Sequence, residues 1–162
     1  MKKFGIPALI FSLLLMCSCT KSESIDKIVI NNTFSAKITL HYNRTAYTAD
    51  FVTDKIGCSA VFLSPDEING LKTSTDGTYF TCSFDEVEFQ SNKNNVQLLP
   101  LDAIYQALIA TPISIEKNEN GYTIAGTTKY GKYIMNINNI TYTPTYLEYT
   151  EEELTVRFEI NT

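Results

Sequence analysis

"GCSAVFLSPDEINGLKTSTDGTYFTCSFDEVEF", residues 57–89, consists of short strand-like runs separated by turn signals. The connection "SPDEING" contains Pro65 and Gly70, and both residue types favour turns. Asp76-Gly77 stands between two runs rich in Thr, Tyr and Phe, which is the pattern of a type I′ β-hairpin. The stretch therefore predicts consecutive antiparallel strands.

The register of this hairpin decides whether the two internal cysteines can meet. We expect Thr75 to lie opposite Thr78, with Cys58 opposite Thr75 in the preceding strand and Cys82 at the far end of the sheet. An exported protein can form disulfides, but a bridge requires Cα atoms within about 7 Å. The register therefore predicts two small buried hydrophobic side chains rather than a disulfide.

A second hairpin is predicted over residues 34–51, toward the N-terminus. Apolar and polar side chains alternate from Phe34 to Asn43, and this period of two indicates a half-buried strand. A tight turn at Asn43 and Arg44 brings apolar side chains together across the ladder. The expected pairs are Tyr42 with Thr45, Leu40 with Tyr47, Ile38 with Ala49, and Ala36 with Phe51.

One helix is predicted over residues 100–110, in "LPLDAIYQALIAT". Its apolar positions follow a three-and-four spacing, Pro100 suits the first turn, and Pro112 ends the helix; the positions are Leu101, Ile104, Tyr105, Leu108 and Ile109. Further strand-like runs follow, namely "ISIEK", "YTIAGTT", "KYIMNIN", "TYLEYT" and "LTVRFEI". Many hairpins with a single helix predict a mainly β, α+β fold in which an antiparallel sheet wraps around the helix.

The N-terminal segment indicates export. Lys2 and Lys3 precede an uncharged apolar run that is too short to span a bilayer, as in a secretory signal. The following "LLLMCSCT" resembles a bacterial lipobox, in which a lipid-modified cysteine becomes the new N-terminus. Cys17 would follow the long side chain of Met16, whereas Cys19 follows a small serine, so we predict lipid attachment at Cys19.

This interpretation divides the chain into a signal peptide (residues 1–18), a lipid anchor and linker (19–32) and one folded domain (33–162). Multiple acyl chains on the cysteine, palmitate among them, would anchor the domain stably to a membrane. Loss of the two signal lysines changes the formal net charge from −5 to about −7. Such a domain is not expected to bind nucleic acid or to dock on an anionic membrane surface.

Catalytic and metal-binding patterns are weak in this sequence. His41 is the only histidine, and the alternation places it on the polar face of its strand. Asp85, Glu86 and Glu88 are expected in one strand and lack the spacing of a calcium loop. We therefore predict no enzymatic activity, no cofactor and no metal.

The segment from Phe51 to Phe89 and the helix after it resemble the LolA/LolB lipoprotein-carrier superfamily. The resemblance rests on "CSAVFLSPDE" leading to "TSTDGTYFTCSFDEVEF", then a loop and a helix started by Leu and Pro. It implies a strongly curved antiparallel sheet that forms an incomplete barrel, with the helix packed on its concave face, and a capacity to bind acyl chains there. The chain has Ser59 and Ala60 where the carriers have an arginine next to an aromatic residue, and it lacks tryptophan.

These patterns together predict a non-enzymatic lipoprotein, anchored to the extracytoplasmic face of a bacterial membrane, that binds a hydrophobic ligand. The expected cavity is lined by Ile38, Leu40, Tyr47, Phe51, Phe62, Phe80, Phe84, Phe89, Ile104 and Leu108. The alternative is a cell-envelope interaction module with a filled core. It would meet a partner protein through tyrosine-rich edges at Tyr142, Tyr146 and Tyr149.

Overall fold

The computed structural model describes residues 28–92 and 100–161 as one antiparallel sheet with a helix on one face. The helix α1 spans Pro100–Ile109, and a short 3-10 helix spans Asp66–Ile68. The strands are β1 (Phe34–Tyr42), β2 (Thr45–Thr53), β3 (Cys58–Ser64), β4 (Lys72–Thr75), β5 (Tyr79–Phe84), β6 (Val87–Asn92), β7 (Ser114–Asn118), β8 (Gly121–Thr128), β9 (Gly131–Asn138), β10 (Pro144–Tyr149) and β11 (Leu154–Ile160). The predicted mainly β class is confirmed.

The strand order is β6-β5-β4-β3-β2-β1-β11-β10-β9-β8-β7. Two meanders of consecutive hairpins therefore meet where β1 pairs with β11, near the middle of the sheet. Strands β6 and β7 are the two edges and do not pair with each other, so the sheet is an open half-barrel. This topology confirms the incomplete barrel expected from the resemblance.

The β1–β2 hairpin has the predicted register. Leu40 lies opposite Tyr47 and Ala36 lies opposite Phe51. Asn43 and Arg44 form the turn with φ values of 48° and 66°, as a type I′ turn requires.

The β4–β5 hairpin differs from its predicted register. Thr75 pairs with Phe80 instead of Thr78, because the Asp76 carboxylate accepts hydrogen bonds from the backbone N–H groups of Thr78 and Tyr79, both at 2.8 Å. These bonds stabilise a four-residue loop in place of the expected two-residue turn.

The internal cysteines are both free thiols. Cys58 lies opposite Thr75 and is buried, as predicted. Cys82 differs from the prediction, because it is half-buried and lies opposite Thr73 as a result of the shifted β4–β5 register. The Cys58 side chain is buried 3.7 Å from the carbonyl of Leu101 at the start of α1. Burial, followed by the nearby charge of Asp102, raises the pKa of this thiol far above its ordinary value.

The helix α1 packs on one face of the sheet and contacts β8 on one half and β3 and β4 on the other. These strands are far apart in the strand order, so one short helix can reach both halves only if the sheet is strongly curved. We call the face that carries α1 the concave face. The predicted inward positions of α1 are buried except for Ile109, the last residue of the helix, which is 46% exposed.

Polar contacts fix α1 on the β8–β10 side of the sheet. Asp102 is 1% exposed, and its Oδ2 atom lies 2.8 Å from the ammonium of Lys129 and accepts a hydrogen bond of 2.5 Å from the hydroxyl of Tyr130. The buried Tyr149 donates its hydroxyl to the carbonyl of Ala103 at 3.0 Å. The helix is therefore held by directional bonds as well as by apolar packing.

Candidate hydrophobic ligand site

The ten residues predicted to line the cavity fall into groups of different exposure. Six are buried in the core, namely Ile38, Leu40, Phe51, Phe80, Ile104 and Leu108. Tyr47 and Phe62 are half-buried. Phe84 and Phe89 are 40% and 57% exposed, respectively.

The space directly beneath α1 is filled by side chains. Ile104 is completely buried and Leu108 is 3% exposed, and both belong to the same cluster as Phe51 and Ile38. The ring of Phe51 packs edge-on against Phe158 at a centroid distance of 6.1 Å. This part of the concave face is therefore core.

The concave face continues beyond the helix, across β4, β5 and β6. Residues directly opposite in an antiparallel ladder share a face, and the register connects Ala60 to Thr73, Thr73 to Cys82, and Cys82 to Phe89. Ala60 and Thr73 are buried, whereas Phe89 at the end of this row is exposed. Phe89 thus lies on the core side of the sheet but outside the region that α1 covers.

A second row runs parallel to the first. The carbonyl of Phe62 accepts a hydrogen bond from the N–H of Gly70 at 2.8 Å, and the N–H of Phe62 donates one to the carbonyl of Leu71 at 2.9 Å. These bonds place Leu71 beside Phe62. Phe84 and Val87 pair with each other at the end of this row, and Val87 is 72% exposed. We call Phe62, Leu71, Phe84, Val87 and Phe89 the outer concave surface.

Helix length explains why the outer concave surface is left open. The ten residues of α1 extend about 15 Å at 1.5 Å per residue. Strands lie about 4.8 Å apart, so this length spans only about three strand spacings of a much wider sheet. Among the described residues α1 contacts mainly β3, β4 and β8, and Phe84 at the end of β5 and Val87 and Phe89 on β6 stay exposed.

Val87 was not identified from the sequence. It lies two residues before Phe89 and so on the same face, which is the signal that reveals it once β6 is recognised as a strand. Asp85 and Glu86 form the two-residue turn before β6, with Asp85 at φ 52°, instead of continuing a strand as predicted. These two carboxylates and Glu88 are exposed around the apolar side chains.

Another apolar cleft lies at the C-terminal end of α1. It has a volume of about 500 Å³ and is lined by Ile28, Val29, Ile30, Asn32, Leu108, Ile109, Ala110, Thr111, Pro112 and Ile115. Leu108 is the one predicted cavity residue among them. His41, as predicted, is exposed, and it lines a groove on the opposite, convex face together with Arg44 and Arg157.

Within residues 28–92 and 100–161, no group of three or more His, Cys, Asp or Glu side chains is placed to hold a metal ion. The same part of the chain has no helix that is long and apolar enough to cross a membrane. Cys19, the predicted lipid attachment site, lies outside the described residues.

The fold has relatives among solved structures. An uncharacterized conserved protein from Thermus thermophilus matches with a TM-score of 0.52 at 11% identity, over 84% of this chain and 83% of that chain. A LolA superfamily protein from Nitrosomonas europaea matches with a TM-score of 0.41 at 8% identity, over 84% of this chain and 88% of that chain. A domain described as an outer membrane lipoprotein-sorting protein, from Vibrio parahaemolyticus, matches with a TM-score of 0.42 at 7% identity, over 81% and 83%.

No protein-family model matches the chain, and no curated protein matches it either. At 7–11% identity these likenesses concern the architecture alone, and of the three only the Thermus thermophilus match has a TM-score above 0.5.

Proposed function

We propose that this protein is a non-enzymatic lipoprotein, anchored through Cys19 to the extracytoplasmic face of a bacterial membrane, that binds an acyl chain on the outer concave surface. The observation that carries the proposal is the exposure of Phe84 and Phe89 on the same face as the core. Monomeric soluble proteins rarely expose contiguous apolar patches of this kind unless the patch binds something.

An acyl chain suits this surface for a physical reason. The outer concave surface is apolar, and burial of each methylene against it gains about 0.8 kcal/mol. The carboxylates of Asp85 and Glu86, in the turn that borders this surface, repel an anionic headgroup. A neutral lipid is therefore the best-matched ligand class.

The proposal is tested with the full chain carrying Cys19→Ser, which prevents attachment of its own lipid. A pyrene-labelled monoacylglycerol is titrated and its fluorescence measured. Phe84→Ser and Phe89→Ser are each expected to weaken binding about tenfold, because each removes a large apolar contact. Val52→Ser is the matched control, since Val52 is 50% exposed on the convex face. Equal loss in the control, or no binding to the parent chain, contradicts the proposal.

The anchor is tested separately in bacterial cells grown with an alkyne analogue of palmitate. Cys19→Ser is expected to abolish labelling, whereas Cys17→Ser is expected to retain it, because only Cys19 follows a small residue in the lipobox-like segment. Retained labelling of Cys19→Ser would contradict the assignment of the acceptor.

A second candidate function is an envelope interaction module, favoured by the filled space beneath α1. One part of that prediction is wrong, since β10 is an interior strand and Tyr149 is 1% exposed, so it cannot form an edge contact. Tyr142 is 39% exposed and stacks on Tyr122 at a centroid distance of 6.2 Å. This function would be favoured if the acyl probe does not bind and if a partner protein that binds the parent chain no longer binds Tyr142→Ser.

A further inference from the structure

The two edge strands of the sheet differ in what they present. An edge strand exposes a row of N–H and C=O groups that can pair with another chain, and exposed charges discourage such pairing. On β7, Glu116, Lys117 and Asn118 are exposed in succession. On β6, Val87 and Phe89 are exposed apolar residues on one face. Strand β7 also adjoins an apolar cleft, through Ile115. Among the described residues, β6 differs in that it carries Glu88 and no basic residue beside its exposed apolar side chains.

The turn before β6 determines which of its backbone groups point outward. Asp85 and Glu86 form a two-residue turn, so Phe84 and Val87 flank it as a hydrogen-bonded pair. Along an antiparallel ladder, hydrogen-bonded pairs alternate with pairs that are not hydrogen-bonded to each other. The backbone of Phe89 therefore bonds to Cys82 on β5, while the N–H and C=O groups of Glu88 and Gln90 point away from β5.

The negative charge near the edge of β6 indicates which kind of segment can bind there. Asp85, Glu86 and Glu88 are exposed along the turn and strand. A second copy of the chain would bring its own carboxylates against these, and an anionic membrane surface would be repelled. A segment with positive charges meets no such penalty and gains favourable long-range attraction.

We propose that an extended, basic segment of another polypeptide adds as a strand to the outward edge of β6 at Glu88 and Gln90. Its backbone pairs with Glu88 and Gln90, and its apolar side chains, at every second position, contact Val87 and Phe89. Its lysine or arginine side chains lie on the other face and reach the carboxylate of Glu88. Backbone pairing supplies affinity in this mode, and the alternating side chains supply specificity.

The test uses the full chain with Cys19→Ser and a fluorescein-labelled nine-residue peptide in which Lys and Val alternate. Fluorescence anisotropy is expected to show binding that weakens steeply with added salt. Glu88→Lys is expected to weaken binding about tenfold or more, because it reverses the charge beside the edge. Glu116→Lys on β7 makes the same change of net charge and is expected to leave binding unchanged.

Strand addition itself is tested with Gln90→Pro. The ring removes the outward N–H and blocks close approach, yet it leaves the bonds between β5 and β6 in place, and proline is tolerated at such edge positions. Binding is expected to be lost while the circular dichroism spectrum is retained. If this variant fails to fold, the binding measured with Glu88→Lys and the dependence of binding on salt test the proposal instead.

Several results would overturn the proposal. If a peptide with Glu in place of Lys is bound as tightly as the Lys peptide, or if Glu116→Lys weakens peptide binding as much as Glu88→Lys does, the role of charge is contradicted. Undiminished binding to folded Gln90→Pro contradicts strand addition. Self-association of the chain through β6 in sedimentation experiments would show that the occupant is a second copy. Both ligands would contact Val87 and Phe89, but Glu88→Lys and Gln90→Pro alter the edge of β6 whereas Phe84→Ser alters the concave face. The two proposals can therefore fail independently.

Discussion

The buried hydroxyls of Tyr133 and Tyr149 are predicted to affect stability with opposite signs. Both residues are 1% exposed, and their rings lie 5.8 Å apart. The Tyr149 hydroxyl bonds the carbonyl of Ala103 and the hydroxyl of Thr128, each at 3.0 Å. The Tyr133 hydroxyl has no hydrogen-bond partner among the described residues.

The magnitudes follow from these contacts. A typical hydrogen bond contributes about 1 kcal/mol net, so Tyr149→Phe is expected to lower the free energy of unfolding by about 1–2 kcal/mol. A buried hydroxyl without a partner costs about 1–3 kcal/mol of desolvation, so Tyr133→Phe is expected to be neutral or to stabilise by up to about 1 kcal/mol. The same atom is deleted in both variants, so each is the control for the other.

Urea unfolding followed by circular dichroism measures both variants against the parent chain. Unchanged slopes with shifted midpoints would attribute the differences to the folded state. If Tyr149→Phe costs nothing, its hydroxyl does not hold α1 on the sheet. If Tyr133→Phe costs as much as Tyr149→Phe, the account of these two environments is wrong.

Three further predictions concern α1 and its contacts. Asp102→Asn is expected to destabilise the protein by about 1–3 kcal/mol, because it weakens the charge-assisted bonds to Lys129 and Tyr130. Lys129→Met should cost less, since the Lys129 side chain is 46% exposed. Urea unfolding of the two variants measures the difference. Leu108→Ala should cost about 2–5 kcal/mol through the cavity it leaves, as measured by thermal and urea unfolding. Burial raises the pKa of Tyr130 to about 12, so the folded state keeps a proton that the unfolded state loses from about pH 10. The free energy of unfolding should therefore fall as pH rises from about 10 to 12. Tyr130→Phe should make this fall smaller without removing it, because burial also raises the pKa of Tyr133 and of Tyr149.

The parts of the fold that were predictable are those that local sequence determines. The β1–β2 register follows from apolar alternation and from a two-residue turn at Asn43 and Arg44, whose backbone conformation matches the strand twist. The β4–β5 register was wrong because the Asp76 side chain enlarges its loop. A dipeptide pattern does not reveal which backbone N–H groups a side chain will accept from.

The candidate site was only partly predictable, because the helix is much shorter than the sheet is wide. Alternation places Phe51 and Phe89 on the same face, but it cannot tell which of them the helix will cover. Coverage depends on where a helix of ten residues comes to lie on a sheet several times wider, which is a tertiary property. Strand order is equally non-local, so Tyr149 was expected at an edge and lies in the core.

The central claim is that an acyl chain lies on the outer concave surface. The most direct measurement is paramagnetic broadening of backbone amide NMR signals by a monoacylglycerol with a nitroxide on its acyl chain, added to the chain with Cys19→Ser. The account predicts selective broadening at Phe84, Val87 and Phe89, with Val52 and His41 on the convex face unaffected. Broadening confined to the convex face or to the cleft beside Ile115, or no broadening at saturating probe, would contradict it.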